Sequence, residues 1–286
     1  MLHAIGRWEV KIVVGVVQHG EDADPPLESN AGLEIISRTN ARPGPRGTPW
    51  LGFGANHNCL MESAAGADWY VALNPDVDVT QLEIRGLIEQ AEDSGYSVVA
   101  PMFRSPWGIT GAPQASVPDA RHWVREAIAG SSSRSSSSSR VEPSEWVSGA
   151  CMAIRIGELP IRFDERFFMY FEDVDLCCRA RDAGGRIGVC GEIVVRHGSG
   201  WSSDDPLLSR RGVEFARSAM EFAKGQQQSP TLTRFAGLAR FGSRLVIPGR
   251  TDAERASARA ITLAFQPFVK REGLAELARR HNEQLR

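Results

Sequence analysis

Residues 69 to 78 read W-Y-V-A-L-N-P-D-V-D. Five apolar positions in a row, short and rich in strand formers, predict a strand buried on both faces. It stops at Asn74-Pro75-Asp76, a turn-forming tripeptide. Working outward, Val10 to Val17 (V-K-I-V-V-G-V-V), Leu33 to Ser37 and Ser97 to Ala100 predict further short strands. Asn56 to Ala65 has helical character, and Thr80 with Glu83 makes a capping box for a helix over Gln81 to Asp93. Strands alternating with helices predict an α/β fold, a mostly parallel sheet flanked by helices. Ligands of such sheets sit beyond the carboxyl ends of the strands, where Asn74 to Asp78 lie.

Further along, Arg42 to Trp50 is dense in proline and glycine and reads as an irregular connection. Phe103 to Val141 is loop-like, and its Ser131 to Arg140 segment is a low-complexity, flexible surface excursion. Trp146 to Ile154 predicts a strand, and Arg186 to Val189 and Ile193 to Val195 two more, ending at His197. Beyond Asp205 the pattern is helical over Leu207 to Lys224, Leu232 to Leu245 and Asp252 onward. This divides the chain into an α/β domain, 1–205, and a helical C-terminal extension, 206–286.

The 286 residues carry a net charge of -2, which argues against a general nucleic-acid binder. The balance is uneven: Leu207 to Arg286 holds 15 Lys+Arg against 7 Asp+Glu. An acidic body with a basic tail suits a metal-using site beside a surface that meets anionic lipid. Arg234, Arg240 and Arg244 lie beside Leu238, Phe241 and Leu245 on a stretch that reads either as a membrane-surface helix or as an ordinary helical cap on the sheet. Five cysteines without a C-x-x-C pair point to a reducing compartment, with adjacent Cys177 and Cys178 packing on different helix faces. Met1 to Glu9 lacks the basic and apolar regions of a secretory signal, so the expectation is a cytoplasmic protein, with the basic tail at the inner face of the membrane.

Chemistry concentrates in F-D-E-R-F-F-M-Y-F-E-D-V-D-L-C-C-R-A-R, residues 163 to 181. Five carboxylates interleaved with aromatics read as acids in a partly desolvated pocket, tuned for proton abstraction. They read equally as a helix N-terminus complementing its macrodipole, followed by a core stripe. Asn74 to Asp78 offers hard oxygen ligands suited to Mg²⁺ or Mn²⁺ on a diphosphate, and is also an ordinary turn sequence. His197, leading into a Gly/Ser loop, is either a loop hydrogen-bonder or an imidazole completing a Mn²⁺ shell.

Order and spacing add a resemblance. Trp50-Leu51-Gly52-Phe53-Gly54-Ala55-Asn56-His57-Asn58, then A-L-N-P-D-V (72–77), W-V-S-G-A-C-M-A-I-R (146–155), the acidic-aromatic block through Gly185, and V-V-R-H-G-S-G-W-S-S (194–203) resemble the inverting family-two glycosyltransferases, in their rhamnosyltransferase-like branch. The resemblance implies a GT-A fold and transfer of a hexose, rhamnose among them, from a nucleotide-sugar donor to a glycan or lipid-linked acceptor, in cell-envelope polysaccharide synthesis. It implies Asp173 as catalytic base, with Glu172, Asp175 and Trp146 orienting the acceptor. Asn56, Asn58, Asn74, Asp76, Gly149 and Ala150 would meet the donor, and Asp76 with His197 would hold a divalent metal, Mg²⁺ or Mn²⁺. Asp78 is an extra acid beside this set. The chain departs from the family at its start: Gln18-His19-Gly20-Glu21-Asp22 stands where T-Y-N or D-N-x-S would grip the nucleoside. A second reading follows from that departure, a GT-A-like binding or assembly protein without turnover.

Overall fold

The computed structural model describes residues 10–18, 27, 30, 32–40, 51–105, 108–110, 116–129, 140–198, 208–246 and 252–265. Nine strands form one sheet: β1 (Ile12–Gln18), β2 (Leu33–Thr39), β3 (Trp69–Leu73), β4 (Val77–Asp78), β5 (Val98–Ser105), β6 (Gly108–Thr110), β7 (Val141–Pro143), β8 (Cys151–Ile154) and β9 (Ile187–His197). Their order is β2-β1-β3-β8-β5-β9-β4, with β6 on β5 and β7 on β9. The three longest ladders, β1–β2, β1–β3 and β5–β9, are parallel, as expected. The sheet is nonetheless mixed, because β8 enters antiparallel between β3 and β5.

The described residues add seven helices: α1 (Phe53–Ser63), α2 (Gln81–Ser94), α3 (Ala120–Ala129), α4 (Glu172–Asp182), α5 (Leu208–Gly225), α6 (Pro230–Val246) and α7 (Asp252–Ala264). Strand β3 has both faces covered. Trp69, Val71 and Leu73 enter the core that holds Ile84 and Leu87 of α2, while Tyr70 and Ala72 enter the core that holds Leu60 of α1 and Leu176 of α4. That is the period of two expected of a strand. The expected capping box is present: Thr80 Oγ1 accepts from Glu83 N–H at 3.2 Å, and the Glu83 carboxylate accepts from Thr80 N–H at 2.7 Å.

A third core binds the helices to the α/β part. Trp123 of α3, fully buried, lies within ring contact of Phe171, Phe215, Phe241 and Phe265. Helix α4 joins two cores, since Cys177 packs toward the sheet and Cys178 toward the helical side, the split that adjacent helical positions require. All five cysteines are free thiols. Helix α6 buries Ala236 and Phe241, so its apolar stripe is turned inward in the manner of a helical cap. The expected domain boundary near residue 205 lies outside the described residues.

Several elements differ from expectation. Phe103 to Val141 is not simply loop: it holds the end of β5, β6 and α3. Helix α3 is capped by Asp119, whose Oδ1 accepts from His122 N–H at 2.6 Å, and is anchored by one large apolar side chain, a weak periodic signal. Of Trp146 to Ile154 only Cys151–Ile154 is strand, because 146–150 leave the ladder to meet the site described below. Strand β9 is continuous over both predicted pieces, with a bulge that shifts its register on β5 between Pro101 and Met102. Apart from Arg140, the Ser-rich segment lies outside the described residues. Trp123→Ala should cost about 3–5 kcal/mol in urea unfolding. Trp123→Phe should cost much less, since the Trp123 indole N–H has no hydrogen-bond partner among the described residues.

Candidate active site

Asp173 sits in the first turn of α4, where backbone N–H groups are free to meet a carboxylate. Val174 N–H donates to its Oδ1 at 2.8 Å, and Gly149 N–H donates to its Oδ2 at 3.0 Å. One residue further, the Ala150 carbonyl accepts from Asn74 N–H at 2.8 Å. Gly149 and Ala150 therefore hold Asp173 on one side and the Asn74-Pro75-Asp76 corner on the other. A Cβ on Gly149 would lie 3.2 Å from the Phe53 ring and 3.5 Å from Asp173 Cβ, so the close approach favours glycine.

The corner is joined to the end of β9. Val77 pairs with His197 in the β4–β9 ladder, and Gly198 N–H donates to the Asp76 carbonyl at 2.8 Å. His197 Nε2 consequently lies 3.4 Å from Asp76 Oδ1, both side chains partly exposed. Adjacent ligands on a cation at about 2.1 Å are roughly 3 Å apart, so this carboxylate and imidazole fit two neighbouring positions of one divalent shell. Among the described residues no cluster of three His, Cys, Asp or Glu side chains stands ready for a metal. A cation here would draw its other ligands from solvent and a bound diphosphate. Asp78 is exposed and pairs with Arg196 across the ladder.

The approach to α4 is strained. Tyr170 and Phe171 have φ of 69° and 67°, consecutive left-handed residues without glycine. Each costs about 1–3 kcal/mol and persists only where its surroundings impose it. Three contacts do so. Ser218 Oγ donates to the Met169 carbonyl at 2.8 Å, and Phe53 N–H donates to the Phe168 carbonyl at 2.8 Å. Phe167 and Phe171 are buried in the helical core. Gly52 lies so close that a Cβ there would sit 2.4 Å from the Phe168 carbonyl oxygen.

The two asparagines of α1 serve this segment. Asn58 Nδ2 donates to the Phe163 carbonyl at 2.9 Å and to Glu165 Oε1 at 3.0 Å, while its Oδ1 accepts from Phe163 N–H at 2.9 Å. Asn56 Nδ2 donates to the carbonyls of Leu51 and Gly52, and its Oδ1 accepts from Arg38 Nε at 3.1 Å. Asp175 is bound to Arg179 Nε at 2.7 Å, one helical turn on. The Trp146 indole donates to the Ser116 carbonyl at 3.0 Å, and its ring packs against both the sheet core and the helical core. Gly52, Arg38 and the left-handed pair were not singled out from sequence. The G-F-G turn at 52–54 is the one written signal of the close approach.

Glu172, buried beside Asp173, has an Oε2 with no hydrogen-bond partner among the described residues. Burial, and then the charge of Asp173, raise the Glu172 pKa well above the ordinary carboxyl range. Burial also raises that of Asp173, against the stabilising Gly149 and Val174 N–H groups. The pair titrates as a unit. The N–H donors favour the charge on Asp173, which leaves the proton on Glu172. This yields an ionised carboxylate with a neutral neighbour. His57 of α1 is fully buried on Tyr70, Nδ1 to Oη 2.7 Å, with the Tyr70 hydroxyl in space left by Gly15 of β1. Burial lowers its pKa from 6.5 to about 3.

Two pH trends follow. A raised folded pKa stabilises below the unfolded value and is lost as pH rises, so Glu172 costs stability above about pH 5. The lowered folded pKa of His57 costs stability as pH falls below about 6.5. Glu172→Gln should therefore raise Tm at pH 8 and flatten the alkaline decline, leaving the acid limb in place. Gly52→Ala should lower Tm by several degrees, because the Phe168 backbone must move. Both are read by calorimetry across pH.

No family model matches the sequence. The chain is 28% identical over 133 residues to the low-salt glycan biosynthesis hexosyltransferase Agl10 of Haloferax volcanii, covering 44% of this chain and 41% of that protein. It is 29% identical over 189 residues to an N-acetylglucosaminyl-diphospho-decaprenol L-rhamnosyltransferase of Mycobacterium tuberculosis, covering 59% and 54%. The matches thus span about half the length of these curated relatives. Among solved structures, GalNAc-T7 with UDP, GalNAc and Mn²⁺ overlaps at TM-score 0.46 and 12% identity, over 92% of this chain and 56% of that one. The mannosyltransferase PcManGT from Pyrobaculum calidifontis, in complex with GDP-Man and Mn²⁺, overlaps at 0.46 and 11%, over 96% and 86%. By sequence the chain is thus similar to glycosyltransferases, a hexosyltransferase and a rhamnosyltransferase among them.

Proposed function

We propose that this chain transfers a hexose, rhamnose among the candidates, from a nucleoside-diphosphate donor to a hydroxyl of a glycan or lipid-linked acceptor, with inversion at the anomeric carbon. The observation that carries the reading is the Gly149–Ala150 segment, which ties the Asp173 carboxylate to the Asn74 corner through two adjacent hydrogen bonds. The relatives named above, a hexosyltransferase and a rhamnosyltransferase of a diphospho-decaprenol lipid, support it.

Asp173 takes the proton from the acceptor hydroxyl as that oxygen attacks the anomeric carbon. A single carboxylate on the side opposite the leaving group gives one displacement, and one displacement inverts. Glu172, holding its proton, keeps a second negative charge away from the attacking oxygen. Trp146 and Asp175 shape the acceptor side. Asn74, Gly149 and Ala150 line the donor side, and Asn56 and Asn58 set the α1 turn against it. Asp76 and His197 would hold Mg²⁺ or Mn²⁺, which when bound offsets the charge gathering on the diphosphate oxygens.

Release of nucleoside diphosphate should require both a nucleotide sugar and a divalent metal. Asp173→Asn should lower that release roughly 10²–10⁴-fold while keeping thermal stabilisation by donor with Mn²⁺. Asp76→Ala should lose that stabilisation. Turnover retained in Asp173→Asn would remove Asp173 from the role of base. Indifference to every nucleotide sugar with Mn²⁺ would favour the binding or assembly protein instead.

A further inference from the structure

The outer face of α3 and the start of α6 meet in a shallow groove walled by Ala120, Val124, Ile128 and Leu232, with Arg121 and Arg125 beside them. Residues 121, 124, 125 and 128 fall on one helix face, so the cations and the apolar side chains point the same way. Ile128 is 83% exposed, Leu232 54% and, one turn along α6, Phe235 57%. Isolated exposed apolar side chains are ordinary, whereas a cluster across two packed helices marks a contact surface.

The charge around the groove has one sign. Helices α3 and α6 together carry five arginines and a single glutamate. That glutamate, Glu126, is taken up by Arg240 and His122. Among the described residues no acid pairs with Arg121 or Arg125, and no acid lines the groove. The chain that follows α3, residues 130–139, consists of glycine, serine and one arginine, so it has no apolar side chain with which to cover the groove. The C-terminal residues 266–286 hold five Lys+Arg against three Glu and would meet like charge there.

We propose that this α3–α6 face docks on a bilayer containing anionic lipid, with Ile128, Leu232 and Phe235 entering the headgroup boundary and Arg121 and Arg125 on lipid phosphates. Short apolar side chains flanked by arginines are the composition of an interfacial contact. The face is separate from the Leu238–Phe241 stripe, which is turned toward the protein's own core. Among the described residues no helix is long and apolar enough to cross a membrane, so contact here is with the surface. The purpose of such docking rests on the transferase reading, since it brings a lipid-linked acceptor to the protein. Its test needs no turnover.

The full chain should sediment with phosphatidylcholine vesicles containing phosphatidylglycerol, and not with phosphatidylcholine alone, with binding that weakens as salt rises. Arg121→Glu with Arg125→Glu, and separately Ile128→Ser with Leu232→Ser, should each weaken it roughly tenfold or more at unchanged Tm. Equal binding by these variants, or no binding by the parent chain, overturns the proposal. So does light scattering that shows a dimer dissolved by Ile128→Ser with Leu232→Ser, which would assign the face to a second copy. Metal-dependent nucleoside diphosphate release, measured without vesicles, keeps the two readings apart. Intact release without vesicle binding sinks the surface alone; vesicle binding without release sinks the transferase alone.

Discussion

The hydrogen bond from Gly149 N–H to Asp173 Oδ2 is the contact on which the site depends. It is made by a stretch of backbone that has left its strand, one residue before Ala150 fastens the Asn74 corner. A carboxylate at a helix start is commonplace. Here a second N–H, delivered from the sheet, fixes which way it faces and favours its charged form against burial. The neighbouring Glu172 has one carboxyl oxygen without a partner among the described residues and receives no N–H from the sheet, so it keeps the proton and the two adjacent acids acquire opposite states.

Holding α4 at that position strains the chain that leads into it. Tyr170 and Phe171 adopt left-handed backbone because the aromatic residues on either side are committed to different cores: Phe163 to the sheet core, Phe167 and Phe171 to the helical one. The α1 turn presses from the other side, through Gly52 and the Asn58 clamp on Phe163. Rigid placement of Asp173 thus comes from three elements distant in sequence, α1, the 146–150 segment and α5 through Ser218. The helical extension contributes directly to the site rather than standing apart from it.

Much of the sheet was legible because buried strands announce themselves. Trp69 to Leu73 could be little else, and Thr80 with Glu83 wrote the start of α2. Helix α3 was harder, since its single large buried apolar residue, Trp123, sits within a Pro- and Ser-rich surround. Its partners, Phe215, Phe241 and Phe265, lie far along the chain. The meeting of Asp76 with His197 was beyond the residues themselves: N-P-D reads as a turn, and a lone histidine reads as nothing. Only the resemblance put them together, and the β4–β9 ladder gives the physical means. Asn56 and Asn58 show the opposite limit, because only the resemblance assigns them to the donor, while their amides are engaged with Leu51, Gly52 and Phe163.

The proposed transferase requires Asp173 and the Asp76–His197 pair to face one space from opposite sides. Crystals grown with a nucleoside diphosphate and Mn²⁺, measured at the manganese absorption edge, test this most directly. A single anomalous peak bound by Asp76 and His197, with diphosphate oxygens completing its shell and the Asp173 carboxylate facing the same space, is the predicted result. Manganese bound elsewhere, or an Asp76–His197 pair that opens onto a surface away from Asp173, would contradict it.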